Sequence, residues 1–374
     1  MGLSYYACRG QWPEGVPPDY PETEEEALTR LDELYTSGVP FFSKASIRSA
    51  LEQIQRPLVE GDKVLIKALD GSMVEYTMRT GVVSKGFPPL LDGPPDDDKP
   101  RMTESLVVKE ATINYECRAG MRHSIFRAGF KRHVPLFCPI SIYFLCDVRR
   151  EDGQIVNVTE RISREKAHSE FNEYLQIWKG KDRFKKMKQI LDSTTASLDI
   201  TKIVAVSLGC LTYAYGSRGS QQKQHGMIIA LRDWLKEKNK STHVPCFVQD
   251  PVYEDDDKAI LAEHEVEVID DPLAWLEMDD QSIVVSIASN VPSKEIIADV
   301  SRPAVVIWYR VTDKDYDQKG RGGLTDPCSA RVRKMMEWYD CHDFGAGECL
   351  GSEEILMYVR RPKTLCRDEG EKSE

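Results

Sequence analysis

Long apolar runs and a leader segment are the first features that the sequence lacks. No stretch of its 374 residues approaches the roughly 18 consecutive apolar residues that a membrane-spanning helix needs. The first 15 residues have neither a basic start nor an apolar segment, so we expect no secretion signal. Both absences predict a soluble, cytoplasmic protein without a membrane partner.

Paired cysteines are also missing. The ten cysteines form no C-x-x-C pair, and isolated cysteines in a cytoplasmic protein are typically buried thiols. The densest group is Cys341 and His342 with Cys349. Because zinc sites usually show two tight pairs of ligands, we predict no metal site there.

The two common phosphate-binding loops are absent from the C-terminal half. The turn after its first predicted strand reads SLGCLTYAYGS, which does not fit G-x-G-x-x-G, and no P-loop occurs. An ordinary dinucleotide cradle is thereby excluded, and we predict no cofactor.

The sequence does have an excess of acid, with a net charge of −11 that disfavours nonspecific binding to nucleic acids. Two local runs are nonetheless basic. The first carries Arg118, Arg122, Arg127, Lys131 and Arg132, and the second carries Lys179, Lys181, Arg183, Lys185, Lys186 and Lys188. They are either solvated faces of an acidic protein or two parts of a track for a phosphate backbone.

Two patterns of secondary structure divide the chain. Residues 1–155 show two amphipathic helices, a hairpin around Asp70-Gly71 and further alternating strands, which predict a β-rich α+β module. Residues 156–360 alternate apolar β-branched runs such as KIVAVSLG with helical patterns, which predicts a Rossmann-like, doubly wound, mostly parallel α/β sheet. Residues 361–374 are predicted to be a charged, mobile tail.

Polar residues follow the ends of these predicted strands, where open α/β sheets gather their chemistry. Ser207 ends the first strand. A serine there can act as a nucleophile if a neighbouring group accepts its proton and backbone N–H groups face the developing oxyanion. The alternative is a small residue that suits a tight turn.

Five segments of the C-terminal half form a recognisable set: VAVSLGCLTYAYGS, QHGMIIALRDWL, FVQDPVY, SIVVSIASN and PAVVIWYR. Together with FFSKASIRSAL near the N-terminus, they resemble the SRR1-like domain family. The chain departs from that family where SLGC at 207–210 replaces a GLGS-like turn and IASN at 287–290 replaces a Met-Pro-His-Cys-like strand end. These departures weaken a generic SRR1-like role.

The altered turn carries a second resemblance. VAVSLG fits the apolar-x-apolar-Ser-x-Gly context in which cyclodipeptide synthases carry a nucleophilic serine, and the fungal arginine-containing members look SRR1-like. The resemblance implies that Ser207 is catalytic and that Tyr309, late in a following strand, helps to position an aminoacyl group. It further implies a ping-pong reaction without metal or ATP. Ser207 accepts an aminoacyl group from tRNA, the amine of a second aminoacyl-tRNA attacks it, and the dipeptidyl ester cyclises to a diketopiperazine.

The implied partners are arginyl-tRNA and a second aminoacyl-tRNA, in secondary metabolism, with the tRNA on the two basic runs. We expect the substrate-binding residues to be Asp250, Glu254, Tyr213, Tyr215, Gln224 and Asn290. The alternatives are a structural polar anchor for Gln224 and packing on the loop for the two tyrosines. The two acids suit a guanidinium, but they equally suit a helix N-cap and a first-turn charge. The alternative function is that of a non-catalytic SRR1-like regulatory or interaction protein.

Overall fold

The computed structural model describes residues 4–57, 59–87, 104–128, 130–156, 160–214, 218–313, 325–345 and 354–362. The chain divides into two compact units between Glu160 and Arg161. Among the described helices, none is both long and apolar enough to cross a membrane.

The first unit is built on antiparallel sheets, as the alternating patterns predict. Its strands are β1 (Ser4–Ala7), β2 (Gly10–Gln11), β3 (Lys63–Lys67), β4 (Met73–Thr77), β5 (Val82–Phe87), β6 (Glu104–Tyr115) and β7 (Ile140–Arg149). They form one sheet in the order β1-β7-β6-β5 and another in the order β2-β4-β3. The helices are α1 (Glu24–Thr36), α2 (Lys44–Ile54) and α3 (Arg118–Ala128).

Local sequence accounts for the elements predicted in this unit. Thr23 accepts a hydrogen bond from the backbone N–H of Glu26 and begins α1, which completes a capping box. The predicted hairpin is β3–β4, whose turn is held by Asp70 Oδ1 accepting hydrogen bonds from the N–H and the hydroxyl of Ser72.

The second unit contains a seven-stranded sheet, so the prediction of a mixed α/β fold with a mostly parallel sheet is confirmed. The strands are β8 (Lys202–Val206), β9 (Cys246–Gln249), β10 (Glu267–Val268), β11 (Ser282–Ser286), β12 (Val305–Tyr309), β13 (Tyr339–His342) and β14 (Ile355–Arg360). Their order is β10-β9-β8-β11-β12-β14-β13. The first five are parallel, and β14 runs antiparallel to both of its neighbours.

Helices cover this sheet because its central strands are apolar on both faces. The helices are α4 (Arg164–Gly180), α5 (Asp182–Thr194), α6 (Arg218–Asn239), α7 (Asp255–Glu263), α8 (Leu273–Glu277), α9 (Ser293–Val300) and α10 (Ala330–Met336). Ile203 and Ala205 of β8 join the core formed with α4 to α7. Val204 and Val206, which point the opposite way in a strand, are equally buried, and α8 packs against β8.

The antiparallel strands β13 and β14 were not predicted from the sequence. The alternation of strands and helices stops at β12, and the ILMYVR run of β14 is a short apolar segment. Periodicity cannot assign such a segment to a strand or a helix.

Candidate functional site

The order in which the parallel strands are added to the sheet reverses between β8 and β11. From β8 the chain proceeds to β9 and β10 on one side, whereas β11 and β12 lie on the other. Val206 pairs with Ser286, so these two strands end side by side. Such a switch point leaves a crevice at the carboxyl ends of the strands, where open α/β sheets bind ligands.

Ser207 lies at this switch point in a conformation that serines rarely adopt. Its φ is +59°, in the left-handed region, and its side chain is partly exposed. For a residue with a Cβ atom that conformation costs about 1–2 kcal/mol, which glycine avoids. A tight turn alone would therefore favour glycine at this position.

A second serine lies against the first. Ser207 Oγ and Ser289 Oγ are 2.9 Å apart, and the hydroxyl of Ser289 also accepts a hydrogen bond from the N–H of Val291 at 3.2 Å. The preceding residue, Ala288, has a φ of +55°, so both strand tips adopt the left-handed conformation. Ser289 is buried, and either hydroxyl of the pair can donate to the other.

Asp250 fixes the turn that follows Ser207. One carboxylate oxygen accepts the N–H of Gly209 at 2.8 Å, and the other accepts the N–H of Val252 at 3.1 Å. Gly209 has a φ of +70° and packs so closely on the side chain of Gln221 that a Cβ atom would collide with it. Burial raises the pKa of the Asp250 carboxyl, and the two N–H donors lower it. Asp250 therefore does not act as a helix N-cap, because α7 begins later, after Glu254.

A buried carboxylate, that of Asp257, holds the next part of the loop. It accepts hydrogen bonds from the N–H groups of Leu211, Thr212 and Glu254 and from the Thr212 hydroxyl, at 2.8–3.2 Å. Arg161 lies 3.0 Å from the same carboxylate. This network shapes the loop after β8, and sequence analysis did not identify it.

Two predicted substrate-binding residues join the Arg161 side of this network. The guanidinium of Arg161 lies over the ring of Tyr213, 5.4 Å from its centroid, and 2.9 Å from the carboxylate of Glu254. Glu254 occupies the N-cap position of α7. The geometry favours the helix-capping interpretation for Glu254. Asp250, by contrast, accepts a hydrogen bond from Gly209, in the turn that follows Ser207.

The base of the site contains a neutral histidine. His225 Nδ1 lies 2.7 Å from the backbone carbonyl oxygen of Gln221, and Nε2 lies 2.7 Å from the hydroxyl oxygen of Tyr253. A carbonyl only accepts, so Nδ1 carries the proton and Tyr253 donates to Nε2. Burial, opposed by the bond to Gln221, lowers the pKa of His225 to about 4. On the same helix Gln224 is buried, and its Oε1 atom has no hydrogen-bond partner among the described residues.

The neutral state of His225 predicts a loss of stability in acid. The unfolded chain takes up a proton near pH 6.5 but the folded chain only near pH 4, so stability is complete above pH 6.5 and falls as the pH drops towards 4. The imidazole accounts for about 3 kcal/mol of that loss. The free energy of unfolding, measured by urea denaturation across this pH range, should fall less steeply towards acid in His225→Gln than in the wild type. An equal fall in the free energy of unfolding in the two proteins would contradict the prediction.

The remaining predicted residues lie around this centre. Tyr309 ends β12, two strands from β8, which places the two backbones about 10 Å apart. The hydroxyl of Ser289 lies within hydrogen-bonding distance of that of Ser207. Asn290 is exposed after β11. Tyr215 lies outside the described residues.

Several residues of the first basic run already have acidic partners. Arg118 and Arg122 both bind Asp32, at 3.0 and 2.7 Å, and Arg118 also lies over the ring of Tyr35. Lys131 and Arg132 are exposed, and Arg132 pairs with Glu22 at 3.6 Å. The side chain of Arg127 lies outside the described residues. Part of this run is therefore structural.

The second basic run borders an open surface in the second unit. A shallow depression is lined by Lys181, Asp182, Arg183, Lys185, Lys186, Gln189, Phe344 and Gly345, four of which are basic and one acidic. Lys179 pairs with Asp233, Lys185 with Asp182 and Lys188 with Glu237, whereas no ion pair to another described residue holds Lys181 or Lys186. Exposed pairs of this kind are worth at most about 1 kcal/mol, so a phosphate can replace the acid.

The buried thiols of Cys210 and Cys246 have little nucleophilic character. Burial raises the pKa of Cys210 to about 11 and that of Cys246 to about 12. Five of the described cysteines are buried as predicted, but Cys341 is exposed. No cluster of three or more potential ligands for a metal ion occurs among the described residues, and Cys349 lies outside them.

Comparison with known families supports the resemblance to the SRR1-like domain family. An SRR1 domain is found at residues 181–320, a span that contains Ser207, Asp250 and Ser289 and the strands from β8 to β12. No curated protein matches the chain.

Proposed function

We propose that this chain is a tRNA-dependent cyclodipeptide synthase that uses Ser207 as its nucleophile, in a Rossmann-like catalytic domain that works in the cytoplasm. The observation that carries the proposal is the position of Ser207. It is a strained, partly exposed serine at the switch point of the sheet, and its hydroxyl lies 2.9 Å from that of Ser289. A serine kept where glycine is easier agrees with a chemical role.

The reaction divides into two acyl transfers. Ser207 Oγ attacks the ester carbonyl of an aminoacyl-tRNA, the bond to the terminal ribose breaks, and the serine proton passes through the Ser289 hydroxyl to the ribose oxygen. The amine of a second aminoacyl-tRNA then attacks the seryl ester, which returns the proton to Ser207. Cyclisation of the dipeptidyl ester releases the diketopiperazine. Because the ester is already activated, the protein supplies position and proton transfer.

Among the acids, Asp250 fits an arginyl substrate best. Its carboxylate holds the turn two residues after Ser207, whereas Glu254 is engaged by Arg161. Each oxygen of Asp250 accepts one described backbone N–H, and a carboxylate oxygen has a second lone pair with which to accept from a planar guanidinium.

The tRNA contacts are expected from Lys181 and Lys186. Lys181→Glu/Lys186→Glu should raise KM for aminoacyl-tRNA about tenfold with kcat unchanged, and should reduce the salt dependence of binding, because each lost phosphate contact lowers the slope by about one. Lys166→Glu/Lys258→Glu, at exposed lysines on α4 and α7, changes the net charge by the same amount and is the matched control. An equal rise in KM for the control would show that net charge alone is responsible.

The proposal is tested by expression in a bacterial host. Extracts are searched by mass spectrometry for cyclic dipeptides that the host does not otherwise make, with arginine-containing products expected. If soluble protein yields no new cyclic dipeptide while charged tRNA is abundant, the proposal fails and the SRR1-like interaction protein takes its place.

A further inference from the structure

A buried polar cluster lies directly behind Ser289. It consists of Ser286 at the end of β11, Ser293 and Lys294 at the start of α9, and Asp326. Ser286 and Ser293 are fully buried, and the side chains of Lys294 and Asp326 are only 6% and 10% exposed. The catalytic scheme above uses none of these four residues.

Asp326 is the centre of the cluster. Its carboxylate accepts the backbone N–H of Lys294 at 2.8 Å and the hydroxyl of Ser293 at 3.1 Å, and it lies 3.0 Å from Lys294 Nζ. The ammonium of Lys294 also donates to the backbone carbonyl of Asp326 at 3.1 Å. Buried ion pairs contribute little net stability, because desolvation offsets their attraction. This one nevertheless fixes the backbone at residue 326 against the start of α9.

Thr325, the residue before Asp326, links this cluster to Ser289, which faces Ser207. The hydroxyl of Thr325 donates a hydrogen bond to the backbone carbonyl of Ser289 at 3.0 Å. The side chain of Ser289 is held by the N–H of Val291 and faces Ser207. Ser289 is therefore held at its carbonyl by the segment that Asp326 anchors and at its hydroxyl by its own loop.

We propose that Lys294 and Asp326 are positioning residues that act through Thr325 to hold the Ser289 hydroxyl against Ser207 during acyl transfer. The inference rests on the proposed function in that Ser207 is the nucleophile, and it adds residues that position the partner of that nucleophile. A displacement of about 1 Å in such a site is enough to slow a reaction about a hundredfold.

The same helix offers a matched control. Asp299, near the other end of α9, pairs with Arg331 at 3.2 Å, and the two side chains are 9% and 14% exposed. Asp299→Asn therefore breaks an ion pair of similar burial that does not reach Ser289. Asp326→Asn should lower kcat for cyclic dipeptide formation about 10- to 100-fold with KM for aminoacyl-tRNA unchanged, whereas Asp299→Asn should leave both constants as they are.

Two further measurements keep the inference separate from stability and from the proposed function. Thr325→Val removes only the exposed hydroxyl link and should lower kcat several-fold without a change in the unfolding midpoint. The rate at which a fluorophosphonate labels Ser207, read by peptide mass spectrometry, needs a reactive serine but no tRNA. Slower labelling of Asp326→Asn than of Asp299→Asn supports the inference even if no cyclic dipeptide forms.

Opposite results overturn the inference. Equal kcat and equal labelling in wild type, Asp326→Asn and Thr325→Val would leave the synthase proposal standing and remove the positioning role. Absence of labelling in the wild type, together with absence of product, would overturn both.

Discussion

Ser207→Ala is expected to abolish cyclic dipeptide formation, with a fall in rate of about a thousandfold or more, because it removes the oxygen that forms the acyl ester. The fold should persist, since alanine keeps the Cβ atom and loses a single partly exposed oxygen. Product is measured by mass spectrometry with purified protein and charged tRNA, and binding of the tRNA should be unchanged.

Ser207→Gly separates chemistry from backbone strain. Glycine adopts a φ of +59° freely, so this variant should be about 1 kcal/mol more stable than Ser207→Ala while making equally little product. A non-catalytic interaction protein would tolerate both changes equally and would form no acyl-enzyme. Product from either variant at the wild-type rate would exclude Ser207 as the nucleophile.

Asp257→Ala is expected to destabilise the second unit by about 3–5 kcal/mol, because it leaves several buried N–H groups without their acceptor and removes one of the two carboxylates that pair with Arg161. The donors come from Leu211, Thr212 and Glu254, which belong to the loop after β8 and the start of α7. The effect should appear as a lower midpoint of urea denaturation.

Asp256→Ala is the matched control for this prediction. Asp256 is the adjacent residue in the first turn of α7 but is exposed, so its loss removes only a favourable interaction with the helix dipole, about 0.3–1 kcal/mol. Equal destabilisation by the two variants would show that the charge on α7 matters rather than the buried network.

The parallel strands of the second unit were predictable because their sequences admit few alternatives. KIVAV is apolar at successive positions, which suits a strand that is buried on both faces, and the structure places it near the centre of the sheet. Ser207 is a candidate for the same reason, since the end of such a strand marks the edge where sites form.

The partners of Ser207 were harder to predict because they depend on distant parts of the chain. Ser289 also follows a predicted strand, and pairing β8 with β11 in advance would have identified it. Asp257 gave no such signal, because it reads as one of three acids that begin a helix. The pairing of Arg118 with Asp32 spans 86 residues, so charge counting could not show that part of the basic run is neutralised.

The most direct measurement is the mass of the Ser207 peptide after purified protein is mixed with arginyl-tRNA and quenched in acid. The account predicts a peptide heavier by one arginyl group, labile to mild base and absent from Ser207→Ala. An unmodified Ser207 peptide at every time point, in a reaction where arginyl-tRNA is consumed and cyclic dipeptide accumulates, would contradict the seryl intermediate.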